Sequence, residues 1–294
     1  MRRLDFKRDG ADWPLREASR FVAAGGFRWH VQELGQGPPA LLIHGTASST
    51  HSWRGLAPLL ARDFRVLTFD LPGHAFTTSE RRPDLSLPGM AEALTSLVAK
   101  LAFAPRFVVG HSAGAAILAR LIAEGRLAPD LFIAINGAFL PFEGIARNLF
   151  PAAARLLFVN PFAARLFAWR ADRTTVANML AGMGTKLDLR GLDLYVRLMS
   201  NAAHCGGALE MMANWDLSRM PDELARIACP TLLAIGANDK AIRPEDAEKV
   251  ARRLPNGRIE KLHGLGHLAH EEAPERVAAL IRDSAVAAGL IGDG

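Results

Sequence analysis

Val108-Val109-Gly110-His111-Ser112-Ala113-Gly114 is the stretch on which the reading of this chain turns. A short apolar run, RFVVG at 106–110, leads into it. SAGAAILARLIAE at 112–124, rich in alanine and helical in pattern, leads out. A G-x-S-x-G held between a strand and a helix has a steric logic. The chain must turn from strand to helix within a few residues, which leaves the serine in a strained backbone conformation. Gly110 and Gly114 keep side chains out of the crowded turn. The serine oxygen then stands clear at the carboxyl end of a sheet. The helix N-terminus beneath it offers free N–H groups and a dipole that favour negative charge. The same pentapeptide in an ordinary structural turn would lack this setting. Ser112 is therefore the candidate nucleophile.

Working outward, the pattern is a few strands followed by alternating strands and helices, which predicts a mostly parallel sheet covered on both faces. Residues 19–24 and 27–33 read as strands joined through Gly25-Gly26, a hairpin signal. Further strands are expected at 40–44, 65–70, 106–110, 131–136, 230–236 and 259–264. Helices are expected near 52–62, 85–101, 112–124, 245–254 and 274–288. From about 141 to 217 the alternation stops and the pattern is helical throughout. The expectation is an α/β core from 1–140 and 218–294, with a helical cap at 141–217 inserted between two strands.

A serine hydroxyl is a weak nucleophile and needs a base held by a third group. His267, in Gly264-Leu265-Gly266-His267, follows the last strand at the same sheet edge as Ser112. It is preferred to His263, read as a structural residue at the strand end, and to His270, expected in a capping or surface role. Asp239, in Gly236-Ala237-Asn238-Asp239, follows the apolar strand 230–236 and completes a Ser, Asp, His order. The preceding strand offers only Asn136, which cannot carry the charge, and Glu143, held in reserve. For the oxyanion, Ala113 supplies one backbone N–H. Thr46, after His44-Gly45, is preferred for the other, with Ala47 the alternative. His44, Asp70 and His111 are read as structural: His44 holding its loop, Asp70 bracing loops, His111 packed beside the elbow. No phosphate-cradling glycine loop or metal-ligand cluster is found, so no cofactor and no metal are expected.

The totals bound the rest. The chain has 294 residues, half of them hydrophobic and 22% charged, as suits one large core with an insertion. The formal charge is +5 and the basic residues are dispersed, with no nucleic-acid recognition motif. Two cysteines, Cys205 and Cys229, cannot form a disulfide framework, and MRRLDFKRDGADWP has no apolar signal core. Both features point to a cytoplasmic protein, and no run reaches the length of a membrane span.

Together the elbow, Asp239 and His267 resemble the α/β-hydrolase superfamily, in its branch with a helical cap, over residues 21–290. A serine at the elbow excludes the haloalkane dehalogenase and soluble epoxide hydrolase chemistry that uses an aspartate there. A narrower resemblance rests on Asp9-Gly10-Ala11-Asp12-Trp13-Pro14, on 16–22 (REASRFV), on Arg28-Trp29-His30-Val31-Gln32, and on His44-Gly45-Thr46 with His51-Ser52-Trp53. These resemble the magnesium-chelatase accessory hydrolases of bacteriochlorophyll biosynthesis. That family is tied to the insertion of Mg2+ into protoporphyrin. Two departures from its pattern stand out: Ala75 after His74, and Ala47, where glycine is usual. Both fall in loops near the pocket, where they would narrow it or shift the oxyanion loop.

Residues 144–170 combine Leu, Phe and Trp with Arg147, Arg155, Arg165 and Arg170. They read either as cap helices packed on the core or as a greasy, cationic entrance. The second suits a small apolar or porphyrin-like substrate, or peripheral contact with a membrane. Three functions follow. One is hydrolysis of an ester-like bond through a Ser112 acyl-enzyme, accessory to magnesium insertion. Another is a non-catalytic partner that binds porphyrin or magnesium-chelatase subunits. The third, a cofactor-free perhydrolase or C–C bond hydrolase, shares the same triad.

Overall fold

Successive apolar side chains of the central strands point to opposite faces of the sheet, which sorts the core into two layers. The computed structural model describes residues 3–141 and 162–292. Its strands are β1 (Ser19–Ala24), β2 (Phe27–Leu34), β3 (Pro39–Ile43), β4 (Arg65–Phe69), β5 (Thr78–Ser79), β6 (Phe107–His111), β7 (Leu131–Ile135), β8 (Thr231–Gly236) and β9 (Gly257–Leu262). They form one sheet in the order β1-β2-β4-β3-β6-β7-β8-β9, with β5 paired to β2. From β4 to β9 neighbouring strands are parallel; β1, β2 and β5 supply the antiparallel pairings. Each principal strand lies within about two residues of its sequence expectation. The two-residue β5 was not foreseen; it is too short to carry a period.

Because side chains alternate across a strand, Leu41, Ile43, Val108, Phe132 and Leu233 face one layer. That layer is covered by the helices Leu87–Lys100, Ala113–Ala123 and Asp246–Ala251. Leu42, Val109, Ile133 and Leu232 face the other, under Leu56–Leu60 and Pro274–Ala287. Both faces of the sheet are therefore dry, which is why β6, β7 and β8 read as continuous apolar runs.

Between β7 and β8 the described residues form the helices Ala163–Arg170, Arg173–Gly182, Leu189–Met199, Ala202–Ala213 and Met220–Leu224. Polar side chains start three of them: Asp172 accepts from Thr175 N, Asp188 from Gly191 N, and Asn201 from Ala203 N and His204 N. Glu143, Arg147 and Arg155 lie outside the described residues. A third apolar cluster joins the first four of these helices to the sheet edge. It includes Val176, Leu180, Leu194 and Leu198 from the helices, and Trp13, Phe76 and Leu268 from elsewhere.

The N-terminal segment is part of this junction. Trp13 is buried, its Nε1 donates to Thr50 Oγ1 at 3.1 Å, and its ring meets Phe76 and His51 edge-on. Arg190 and Arg197 both pair with Asp12, whose carboxyl is thereby held well below the usual range. No helix among the described residues is long and apolar enough to cross a membrane.

Candidate active site

Ser112 sits where β6 gives way to the helix Ala113–Ala123, with φ 50° and ψ −118°. That backbone is costly for a non-glycine residue, on the order of 1–3 kcal/mol, and persists only where the surroundings enforce it. They do so here. The Ser112 N–H donates to Ile135 O, and Ser112 O accepts from Ala115 N and Ala138 N, each at 3.1 Å. A Cβ on Gly114 would stand 2.3 Å from Ile43 O, and one on Gly110 would stand 2.5 Å from Ala115 Cα. Both glycines are therefore dictated by close approach.

Successive strand ends then bring the polar groups together. Asp239 follows β8 and His267 follows β9. The His267 Nδ1–H donates to Asp239 Oδ2 at 2.8 Å. Asp239 Oδ1 accepts from Ala241 N at 2.7 Å and Ile242 N at 2.9 Å, so both carboxylate oxygens are engaged. With Nδ1 as donor, Nε2 keeps the lone pair that a base needs. No hydrogen bond joins Ser112 Oγ to the imidazole among the described residues; such bonds commonly tighten only when substrate is seated. The two are linked instead through His111, whose ring lies 4.7 Å from that of His267 and whose Nε2–H donates to His267 O at 2.9 Å.

Asn136, set aside in the sequence as unable to serve as the acid, has another task. It ends β7 with φ 46°. Its Nδ2 donates to Gly266 O at 3.0 Å and His267 O at 2.8 Å, and its Oδ1 accepts from Gly236 N at 2.7 Å. It thus ties the loops that carry Asp239 and His267 to each other. Glu272 adds a second tie, accepting from Gly266 N and from Thr185 Oγ1. Sequence reasoning missed both, because an amide or carboxylate bonding across the fold leaves no periodic trace.

The other histidines sort differently from expectation. His270 is fully buried between Trp53 and His111, which rules out the surface half of the capping or surface role expected for it. Burial pushes its pKa down to about 3. His263 is exposed just past β9.

The loop after β3 closes the site. Gly45 lies so close to the elbow that a Cβ there would sit 3.0 Å from Ser112 Cβ. Thr46 follows; its hydroxyl is turned to Met211 Sδ at 3.6 Å. Ala47 has φ 62° and Ala75 has φ 37°, the left-handed region that glycine favours. These are the two positions where the resembling pattern has glycine. Two histidines hold them. Ala47 N donates to His74 Nε2 at 3.1 Å, and Ala47 O accepts from His204 Nε2 at 3.1 Å. Ala75 N donates to His204 Nδ1 at 3.0 Å. Each ring must be neutral to accept, and burial keeps it so, lowering His74 and bringing His204 to about 3.

Asp70 lies beneath. Burial alone would raise its pKa, but His30, at 2.8 Å, and the N–H groups of Thr50 and Phe76 hold it at about 2. Among the described residues no group of three or more His, Cys, Asp or Glu is placed to hold a metal.

A family model described as the alpha/beta hydrolase family matches residues 40–280, from β3 into the last helix. The chain belongs to the alpha/beta hydrolase family. This alpha/beta hydrolase is 37% identical over 276 residues to the magnesium-chelatase 30 kDa subunit of Rhodobacter capsulatus, covering 93% of this chain and 96% of that protein. Among solved structures it resembles an alpha/beta hydrolase fold protein from Burkholderia ambifaria, with TM-score 0.76 and 25% identity over 90% of this chain and 97% of that one. It also shares its fold with a thermophilic esterase from Thermogutta terrifontis, with TM-score 0.71 and 23% identity over 92% of this chain and 98% of that one.

Proposed function

We propose that this alpha/beta hydrolase cleaves an ester-like bond through an acyl-enzyme on Ser112. The observation that carries the reading is the 2.8 Å bond from His267 to Asp239, at the rim where the strained elbow presents Ser112. In the first half-reaction Ser112 Oγ adds to the substrate carbonyl carbon and its proton passes to His267 Nε2. The carbonyl oxygen becomes an oxyanion facing the N–H groups of Ala113 and Thr46. Ala113 opens its helix, so its N–H has no acceptor within it. The Ala47 N–H is engaged by His74, which favours Thr46 as the second donor. Collapse expels the leaving alcohol, which takes the proton from His267. A water, deprotonated by His267, then releases the acid and restores Ser112. Water is the only co-substrate; no cofactor or metal takes part.

The described helices from Ala163 to Ala213 are read as a cap over this site. The likeness to a magnesium-chelatase subunit supports an apolar, porphyrin-like substrate and association with chelatase components, in service of magnesium insertion into protoporphyrin. The same likeness favours a second reading, a binding partner that needs no catalysis, because the relative is named as a subunit.

Reaction with a fluorophosphonate probe separates the two. Native protein should be labelled, and Ser112→Ala should lose labelling by about a thousandfold or more. Absence of labelling in the native chain, or equal labelling of Ser112→Ala, would sink the hydrolase reading. Restoration of pigment synthesis by Ser112→Ala in a strain lacking the gene would favour the binding partner.

A further inference from the structure

The helix Ala163–Arg170 is packed with its large side chains outward. It buries Ala163 and Ala164, with Ala164 set against Gly206 of the helix Ala202–Ala213. It exposes Leu166 at 54%, Phe167 at 53% and Trp169 at 80%. Folding alone selects the opposite arrangement, since the gain from burial grows with apolar area. Arg165 and Arg170 are exposed on the same helix, and neither has an ion pair among the described residues. No acidic residue occurs from 162 to 171. The next charges are already committed: Asp172 caps the following helix and Arg173 pairs with Asp193.

We propose that this helix is the protein's contact with an anionic phospholipid surface. Leucine, phenylalanine and tryptophan would enter the boundary between headgroups and acyl chains. The two arginines would reach phosphate oxygens, their alkyl stems lying along the apolar layer. The chain's formal charge of +5 adds a longer-range attraction of the same sign.

The composition disfavours a protein partner. The helix AARLFAWR holds no Ser, Thr, Asn, Gln, Asp or Glu that would give directional recognition. A two-fold contact between copies would set arginine against arginine. The inference goes beyond the hydrolase reading and does not depend on it, because nothing in the helix touches Ser112, Asp239 or His267.

The test is co-sedimentation of the full chain with phosphatidylcholine vesicles, with and without phosphatidylglycerol. Quenching of tryptophan emission by brominated lipid is followed in parallel. Binding to phosphatidylglycerol vesicles should exceed that to phosphatidylcholine alone by about tenfold or more, and should weaken with salt. Arg165→Glu/Arg170→Glu and Leu166→Ser/Phe167→Ser/Trp169→Ser should each reduce binding at least about tenfold while thermal unfolding is unchanged. Trp169→Phe should remove the quenching and keep the binding. Ser112→Ala should bind as the native chain does, so a native chain that binds vesicles but takes no fluorophosphonate label counts against hydrolysis alone. The proposal is overturned by no binding to either vesicle, by equal binding to both, or by variants that bind like the native chain. A dimer abolished by the triple serine variant, with vesicles left unbound, would assign the patch to a second copy and overturn it too.

Discussion

The described helices between β7 and β8 have an inner and an outer side, and these obey different rules. On the inner side, polar groups bond directly to the loops of the site. Met183 O accepts from Lys240 N and His267 N, Thr185 bonds Glu272 and Leu268 N, and His204 bonds Ala47 and Ala75. On the outer side, Ala163–Arg170 offers large apolar groups and arginines to solvent. The inner side is specified by directional bonds and tolerates little change. The outer side is specified by area and charge, which many sequences could supply.

Acid should break the inner side first and most strongly. Burial lowers the pKa of His44 and His204 to about 3, against an ordinary 6.5, and lowers His74 as well. Above pH 6.5 these groups are neutral in both folded and unfolded chains and contribute no pH dependence. As pH falls below 6.5 the unfolded chain takes up protons that the folded chain refuses, at His44 and His204 until about pH 3. Stability is therefore lost on acidification across that window, about tenfold in the folding equilibrium per pH unit per histidine. Urea unfolding between pH 7 and 4 would show this; a flat profile would mean the rings are not held neutral.

Gly184→Ala should be next in size. Gly184 has φ 76°, and a Cβ would stand 1.9 Å from Asn238 O in the loop that carries Asp239. Strain and overpacking together predict a loss of about 2–4 kcal/mol. The denaturation midpoint measures it, and an unchanged midpoint would mean that the inner side yields where close packing is expected.

A smaller effect is expected from His204→Phe, which leaves Ala47 O and Ala75 N without partners. Stability should fall by roughly 1–3 kcal/mol, and fluorophosphonate labelling should slow. Ala47→Gly/Ala75→Gly in the same chain should recover part of the labelling rate, because glycine holds a positive φ without a clamp. Equal rates with and without the glycines would show that His204 acts otherwise than through these two residues. Least of all, Trp169→Ser should move stability by no more than about 0.5 kcal/mol, since its side chain packs on little. A larger loss in thermal unfolding would place Trp169 in the core and remove the contrast.

The same division explains what was legible in the sequence. The elbow is readable because its sterics demand glycine at fixed offsets from Ser112. The strands are readable because both sheet faces are buried. Asp239 and His267 were singled out by their places after β8 and β9, and the structure joins those two by a hydrogen bond. The clamps were not found. Asn136 and His267 are far apart in sequence, and no local pattern marks a side chain that will bond the backbone of another loop. Ala47 and Ala75 were visible as departures from a pattern. Their left-handed backbone was not, because it depends on histidines that are distant in sequence.

Met183 O, shared by Lys240 N and His267 N, has a consequence for anyone recombining relatives of this chain. Exchanging the insertion at the ends of β7 and β8 would remove a carbonyl that both site loops use. A chimaera would need to carry over the turn at residues 183–186 along with the donor helices, or accept an imidazole whose aim has been lost. The graft boundary lies inside the insertion, not at its hinges.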